Sequence, residues 1–331
     1  MRVGLFRRVL LAILLATITM VNSAQAQPVP LKLIVFRSSA SLPIFVGQEK
    51  GFFEANGLRV ELANTRSSTE QIRGVLAGRW DVMHTAADNV VAYVENEGRD
   101  LFMFMGIGQG VPVLYARPEI KTVQGIRGKK VGVDALTAGY AFVLFDILER
   151  NGLRRGQDYE VVSVGRTAER FEALLKGEIA ATLLTSPFDA RARALGHTVF
   201  GSPDLGEYQA STGATTTRWA REHEKELVGY IRGYRQALAW TFDPANAGEA
   251  IAILARRLEL PETVAANTFT ATVVHASDGI SRDAALSLKG IETVIQLRGK
   301  MGFLKPPFPS AGKYVDLSFY ERAGVGAART Q

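Results

Sequence analysis

From Leu31 onward, short apolar runs alternate with helix-like stretches, many of which end on a glycine. This rhythm constrains the fold more than any other feature of the chain. Leu31–Arg37 alternates and reads as a strand, and Ile44–Asn56 reads as a helix closed by Gly57, a residue suited to the left-handed C-terminal cap. Leu58–Leu62 is a strand. Ser68–Ala77 is a helix with Ser67 as N-cap and Glu70 near N3. Trp80–Thr85, Asp88–Glu97 and Leu101–Ile107 continue as strand, helix and strand. The pattern then restarts with the strand Lys129–Val133, the helix Tyr140–Asn151 closed by Gly152, and the strand Tyr159–Val164. Helix Ala168–Lys176 closes on Gly177, and strand Ala180–Leu184 follows. Helix Phe188–Leu195 closes on Gly196, before a short strand at Thr198–Phe200. Strands joined through helices imply parallel sheets covered by helices, an α/β fold. Beyond Arg218 the chain reads as helices Arg218–Trp240, Ala247–Leu258, Glu262–Thr272 and Arg282–Met301, then the break Lys305–Pro309. With no strands to build a third unit, these helices are expected to pack back on the first. Leu227, Ile231, Tyr234 and Leu238 lie at helical spacing and read as the buried stripe of that packing.

The chain has 331 residues, 39 basic and 33 acidic side chains, a net charge of +6 and no cysteine. Without cysteine there is no disulfide framework, thiolate nucleophile, cysteine zinc site, iron–sulfur cluster or lipidated cysteine. Arg2, Arg7 and Arg8 precede an apolar run from Val9 to Val21, followed by Ala24-Gln25-Ala26. This order reads as a secretory signal peptide, residues 1–26, cut after Ala26. The polar Asn22 and Ser23 end the run short of the roughly 20 residues a spanning helix needs. Removing that segment halves the positive excess. What remains is interspersed with acids, with no basic run of the kind that follows phosphates, so no nucleic-acid partner is expected.

Several segments together resemble a known family. They are PIFVGQEKGFFEANGLRVEL at Pro43–Leu62, AGRWDV at Ala77–Val82 and VQGIRGKKVGV at Val123–Val133. ALLKGEI at Ala173–Ile179 and SPFDARARALG at Ser186–Gly196 complete the set. In this order, behind a signal peptide, they resemble the periplasmic solute-binding proteins of ABC importers, of the nitrate/sulfonate/taurine type. The resemblance implies a type II periplasmic-binding-protein fold, two α/β lobes with a ligand cleft between them. Each lobe is a mostly parallel sheet flanked by helices, and two crossover strands, near Val113–Arg117 and Tyr208–Ala214, act as hinge. Lobe 1 would comprise 27–114 plus 214–331, and lobe 2 would comprise 115–213. It also implies a monomeric periplasmic protein without cofactor that binds a small organic or anionic solute and hands it to an inner-membrane permease served by a separate ATPase subunit.

Ligands of open α/β sheets bind beyond the carboxyl ends of the strands, where helix N-termini offer free N–H groups. The strand-to-helix loops supply the candidates Ser39, Ser41, Arg66, Ser67, Asp88, Asn89, Gln109, Thr137, Gly139, Tyr140, Ser186 and Phe188. Hydroxyls dominate, and each serine or threonine has the alternative role of capping its own helix. Arg66 is either an anion-binding fork or a solvated surface arginine. Tyr140 and Phe188 either flank the ligand or belong to interface core. Asp88, as part of the cleft wall, would favour a ligand carrying an amine or several hydroxyls. As a helix-start acid, it would merely answer the dipole.

Enzyme readings find little support in the motifs. The histidines, His84, His197, His223 and His275, show no metal spacing. His84, on the third strand near the cleft, reads first as a core residue. There is no G-x-S-x-G elbow, and the G-x-G at Gly108–Gly110 opens no helix. A thiamine-pyrimidine biosynthetic enzyme shares the implied fold, but its resemblance carries a cysteine-rich iron motif that is missing here. A periplasmic protein presenting its ligand to a membrane sensor is the other alternative.

Overall fold

The computed structural model describes residues 27–274 and 279–324. The expected signal segment, residues 1–26, lies outside the described residues, as does His275. In chain order the first group of elements is β1 (Val29–Val35), α1 (Leu42–Glu49), β2 (Leu58–Asn64), α2 (Ser68–Leu76), β3 (Val82–Ala86), α3 (Ala87–Glu97) and β4 (Phe102–Gln109). The second is β5 (Val113–Ala116), β6 (Lys130–Val133), α4 (Gly139–Arg150), β7 (Glu160–Ser163), α5 (Thr167–Leu175), β8 (Ala181–Leu184), α6 (Phe188–Ala194) and β9 (Thr198–Gly201). The chain closes with β10 (Gln209–Thr215), α7 (Thr217–Glu222), α8 (Glu224–Phe242), α9 (Ala247–Leu258), α10 (Glu262–Phe269), α11 (Leu288–Lys300) and α12 (Ser318–Arg322). Among the described residues, no helix is long and apolar enough to cross a membrane.

Two five-stranded sheets result, ordered β2-β1-β3-β10-β4 and β7-β6-β8-β5-β9. Each carries one antiparallel strand that arrives from the other half of the chain. β5 leaves β4 and enters the second sheet between β8 and β9. β10 leaves β9 and enters the first between β3 and β4. The connections β4–β5 and β9–β10 therefore tie the sheets together twice.

Period-two alternation places the core. Leu31, Leu33 and Val35 of β1 share one cluster with residues of α1, α8 and α9. Ile34 faces the other way. Its cluster continues from Met83 and Met103 of the first sheet through α3, α4 and α11 to Val131, Val133 and Leu183 of the second. The sheets thus share one continuous apolar core on this side. Leu227, Ile231, Tyr234 and Leu238 of α8 are fully buried, as their spacing predicts.

The glycine stops hold at Gly152, Gly177 and Gly196, whereas the helix expected over Ile44–Asn56 ends at Glu49 and Gly57 closes a separate 3₁₀ turn, Glu54–Asn56. Gly57, Gly152, Gly177 and Gly196 have φ between 74° and 79°. Two C-terminal expectations do not hold. The single helix Arg218–Trp240 is broken at His223, whose backbone leaves the helical region and whose ring stacks on Trp219. The segment before Leu288 is not helical, because its backbone is taken by β4. Gly106 N–H donates to Ala284 O at 2.9 Å, and Ser281 N–H to Ile107 O at 2.9 Å. Tertiary pairing overrides local propensity there. Ile231→Ala should lower the unfolding free energy by about 2–5 kcal/mol, measured by urea denaturation, because it opens a cavity in the fully buried stripe of α8.

Candidate functional site: a cavity between the two sheets

A cavity of about 370 Å³ lies beyond the carboxyl ends of β1, β3, β4, β6 and β8. Ser39, Ser41, Thr85 and Asn89 contribute from the first sheet's side, and Gly139, Tyr140, Thr167 and Ser186 from the second's. The segments around it touch directly. Ser39 donates to Ser186 O from both its N–H and its Oγ, at 3.3 Å each. Arg166 N–H donates to Arg66 O at 3.2 Å. Ser68 N–H donates to Asp134 Oδ2 at 3.3 Å. These bonds draw the two sheets' loops together over the cavity.

Among the helices around the cavity, α2 is capped and its neighbours are not; farther away α7 and α11 carry side-chain caps while α8, α9, α10 and α12 do not, so an open start has a meaning for binding only where it adjoins the cavity. At α2, Ser67 Oγ accepts from Glu70 N–H at 3.2 Å, and Asp134 takes Ser68 N–H besides. No side chain caps α1, α3, α4 or α5, which begin at or beside the cavity wall. Their first-turn N–H groups are the orphan donors every helix start leaves behind.

Two of the cavity's three arginines are held in ion pairs. Arg37 pairs with Glu259 at 3.2 Å and Arg166 with Glu169 at 2.7 Å. Arg170, 4% exposed, donates to Thr182 Oγ1, Gly165 O, Thr167 Oγ1 and Leu183 O. Burial brings its pKa down to about 10, so it stays cationic at neutral pH. Asp189 accepts from Ser186 Oγ at 2.8 Å and from Ala190 N–H at 2.7 Å. The wall therefore offers hydroxyls, amides and helix-start N–H groups, together with the Arg170 guanidinium, bonded only to neutral acceptors, and Asp134, whose Oδ1 is buried without a partner among the described residues.

Of the residues singled out from sequence, Ser39, Ser41, Asn89, Gln109, Gly139, Tyr140 and Ser186 line the cavity. Burial pushes the Tyr140 hydroxyl up to about 12. Five are not in the wall. Ser67 is the α2 cap. Arg66 is exposed and meets the other sheet's loop through its carbonyl. Thr137 is exposed outside the wall. Phe188 turns into the second sheet's own core, its ring 5.6 Å from Phe171. Asp88 is 2% exposed and turned to Arg298, whose Nη1 donates to Oδ2 at 2.9 Å. Its carboxylate is thus directed to an arginine and not to a solute, which removes the reason to favour an amine ligand.

Gly139 joins that pair to the cavity. A Cβ there would lie 2.4 Å from Asp88 Cβ, so only glycine lets the starts of α3 and α4 meet this closely. The residues missed from sequence are Asp134, His84 and Arg170. Asp134 directly follows strand β6, where the strand-end rule would have found it. His84, a core residue by its place on the strand, is indeed buried and bonded to Tyr230, but it also forms part of the wall. Arg170 sits within α5, and nothing in the sequence marks it.

The family model described as NMT1/THI5 like matches residues 38–247, more than half of the chain. The chain belongs to the NMT1/THI5-like family. None of the curated proteins matches it in sequence. Solved structures share its fold. The periplasmic nitrate-binding protein NrtA from Synechocystis PCC 6803 superposes with a TM-score of 0.74 at 13% identity, covering 89% of this chain and 88% of that one. The alkanesulfonate-binding protein SsuA from Xanthomonas axonopodis pv. citri, bound to MOPS, gives 0.72 at 15% identity, covering 88% and 99%. The desulfurization enzyme DSZB gives 0.61 at 14%, covering 88% and 98%. The fold class expected from sequence, two mostly parallel α/β sheets of the periplasmic-binding-protein kind, is the one observed.

The Asp88–Arg298 pair makes a pH prediction. Burial raises the Asp88 pKa from 3.8 to about 6, with Arg298 opposing the rise. The folded form then holds a proton that the unfolded chain has released, so this group's contribution is full below 3.8 and is lost as pH rises through about 6. In urea titrations, wild type should gain stability relative to Asp88→Asn as pH falls from 7 to 4.5. A pH-independent difference would show that the carboxylate is not held in this way.

Proposed function

We propose that this protein is the extracytoplasmic solute-binding component of an ABC importer. It captures a small solute between two lobes and delivers it to a membrane permease served by a separate ATPase. The observation that carries the reading is the cavity itself. It lies between two sheets, is walled by both, and presents uncapped helix starts from each side.

The proposed lobes follow the two sheets, residues 27–112 with 209–331 and residues 113–208, because β5 and β10 move the boundaries expected at 114 and 214 to the starts of those strands; the protein works as a monomer in the periplasm after removal of residues 1–26. Closure is the step that selects the solute. Bonds such as Ser39–Ser186 and Ser68–Asp134 form only with the lobes together, and a solute touching both walls adds to that side of the equilibrium. The continuous core through α3, α4 and α11 lies behind the cavity and serves as the pivot. With Arg37 and Arg166 already paired, the solute is held by N–H and hydroxyl donors directed at its acceptor oxygens. A small sulfonate, carboxylate or nitrate meets that requirement, as does a neutral solute rich in carbonyl groups. The relatives named for nitrate and alkanesulfonate binding support this choice. No bond of the solute is made or broken in this mechanism.

Thermal-shift measurements on residues 27–331 against sulfonates, carboxylates, nitrate and pyrimidines test the reading. A captured solute at 100 times its Kd should stabilise the fold by about 2.7 kcal/mol through mass action. Ser39→Trp, which fills the cavity from the wall, should abolish that response; because Ser39 is buried and bonded to Ser186, the unliganded melting temperature will fall as well, and a cooperative unfolding transition shows that the variant is folded. Turnover of any panel compound would favour the catalytic reading instead.

A further inference from the structure

His84 stands at the carboxyl end of β3 and forms part of the cavity wall, only 7% exposed. Its Nε2 lies 2.6 Å from the hydroxyl of Tyr230 on α8. Tyr230 is fully buried, and His84 is its hydroxyl's one hydrogen-bond partner among the described residues. That fixes the direction of the bond. If Nε2 carried the hydrogen, the Tyr230 hydroxyl would accept it and leave its own hydrogen sealed without an acceptor. Such an orphan costs about 1–3 kcal/mol. The hydroxyl therefore donates to Nε2, and the neutral ring carries its hydrogen on Nδ1. Burial keeps the ring neutral, with a pKa near 3. Tyr234 packs edge-on against the same ring, at 5.4 Å and 87°, and fixes its plane. Nδ1 makes no hydrogen bond among the described residues, yet it is not one of the sealed, unpartnered polar atoms.

We propose that His84 is a specificity-determining residue of the cavity, a neutral imidazole whose Nδ1–H is aimed at the solute by Tyr230 and accepts only a solute bringing an acceptor oxygen to that point. This rests on the capture reading above and deepens it. A neutral N–H donor recognises a carboxylate, sulfonate, nitrate or carbonyl oxygen without an ion pair. An ammonium group at the same place would meet a donor with a donor. Arg37 and Arg166 are held in ion pairs and Arg170 is bonded to four neutral acceptors, so this fixed neutral donor adds a contact of a different kind.

The test uses ¹⁵N-labelled residues 27–331, with nitrate, methanesulfonate and acetate as probes. Imidazole spectra should place the His84 hydrogen on Nδ1. At least one probe should move that resonance along the same saturation curve as its thermal stabilisation of the protein. Tyr230→Phe, which preserves shape, should lose the tautomer preference and weaken that probe about tenfold. A hydrogen found on Nε2 overturns the inference. So does a probe that stabilises the protein with Nδ1 unmoved, an outcome that leaves the capture reading intact. Silence from all three probes, in stability and in the spectrum, overturns both.

Discussion

The starts of α3 and α4 meet at one point, and the arrangement of the site depends on that contact. Each helix start carries about half a positive charge, so bringing two together in a buried place is unfavourable by itself. Asp88 lies between them as the compensating anion, and Arg298 takes one of its oxygens. Gly139 supplies the space, since any side chain there would collide with Asp88. The guanidinium of Arg298 also lies 5.2 Å from the ring centre of Phe142 on α4, so α11 is engaged by both halves of the molecule. Lys300 extends the same join, meeting the buried Asp146 of α4 at 2.6 Å. This side of the molecule is consequently continuous core, and the cavity opens on the other side of the contact.

From that constraint the chemistry of the wall follows. The first turns of α3 and α4 are directed at one small volume, and neither carries a side-chain cap. α2, whose start is outside the wall, is capped twice, by Ser67 and by Asp134 from the opposite sheet. The distinction is physical. A cap satisfies a helix start permanently, whereas an uncapped start beside a cavity keeps its donors for whatever enters.

Much of the fold was legible from Leu31 to Phe200, because each strand is a short apolar run and each glycine stop demands a positive φ. The C-terminal part was less so. No glycine or proline marks the break at His223, and the segment before Leu288 leaves the helix only because β4 offers it backbone partners. The site was legible as a set of loops, and seven of its candidates do line one cavity. Sequence does not say which way a side chain at a strand-to-helix junction turns. Asp88 and Asn89 are neighbours, yet one faces Arg298 and the other lines the cavity, a difference set by α11, more than 200 positions later in the chain. The same holds for His84, whose partner Tyr230 is 146 residues away.

The central claim is that a solute is held by both sheets at once, and a crystal structure of residues 27–331 with a solute from the thermal-shift panel tests it most directly. The account predicts solute density in the cavity of about 370 Å³, bonded to groups of the first sheet such as Ser39 and of the second such as Gly139. Density confined to one sheet, or outside this cavity, would contradict it.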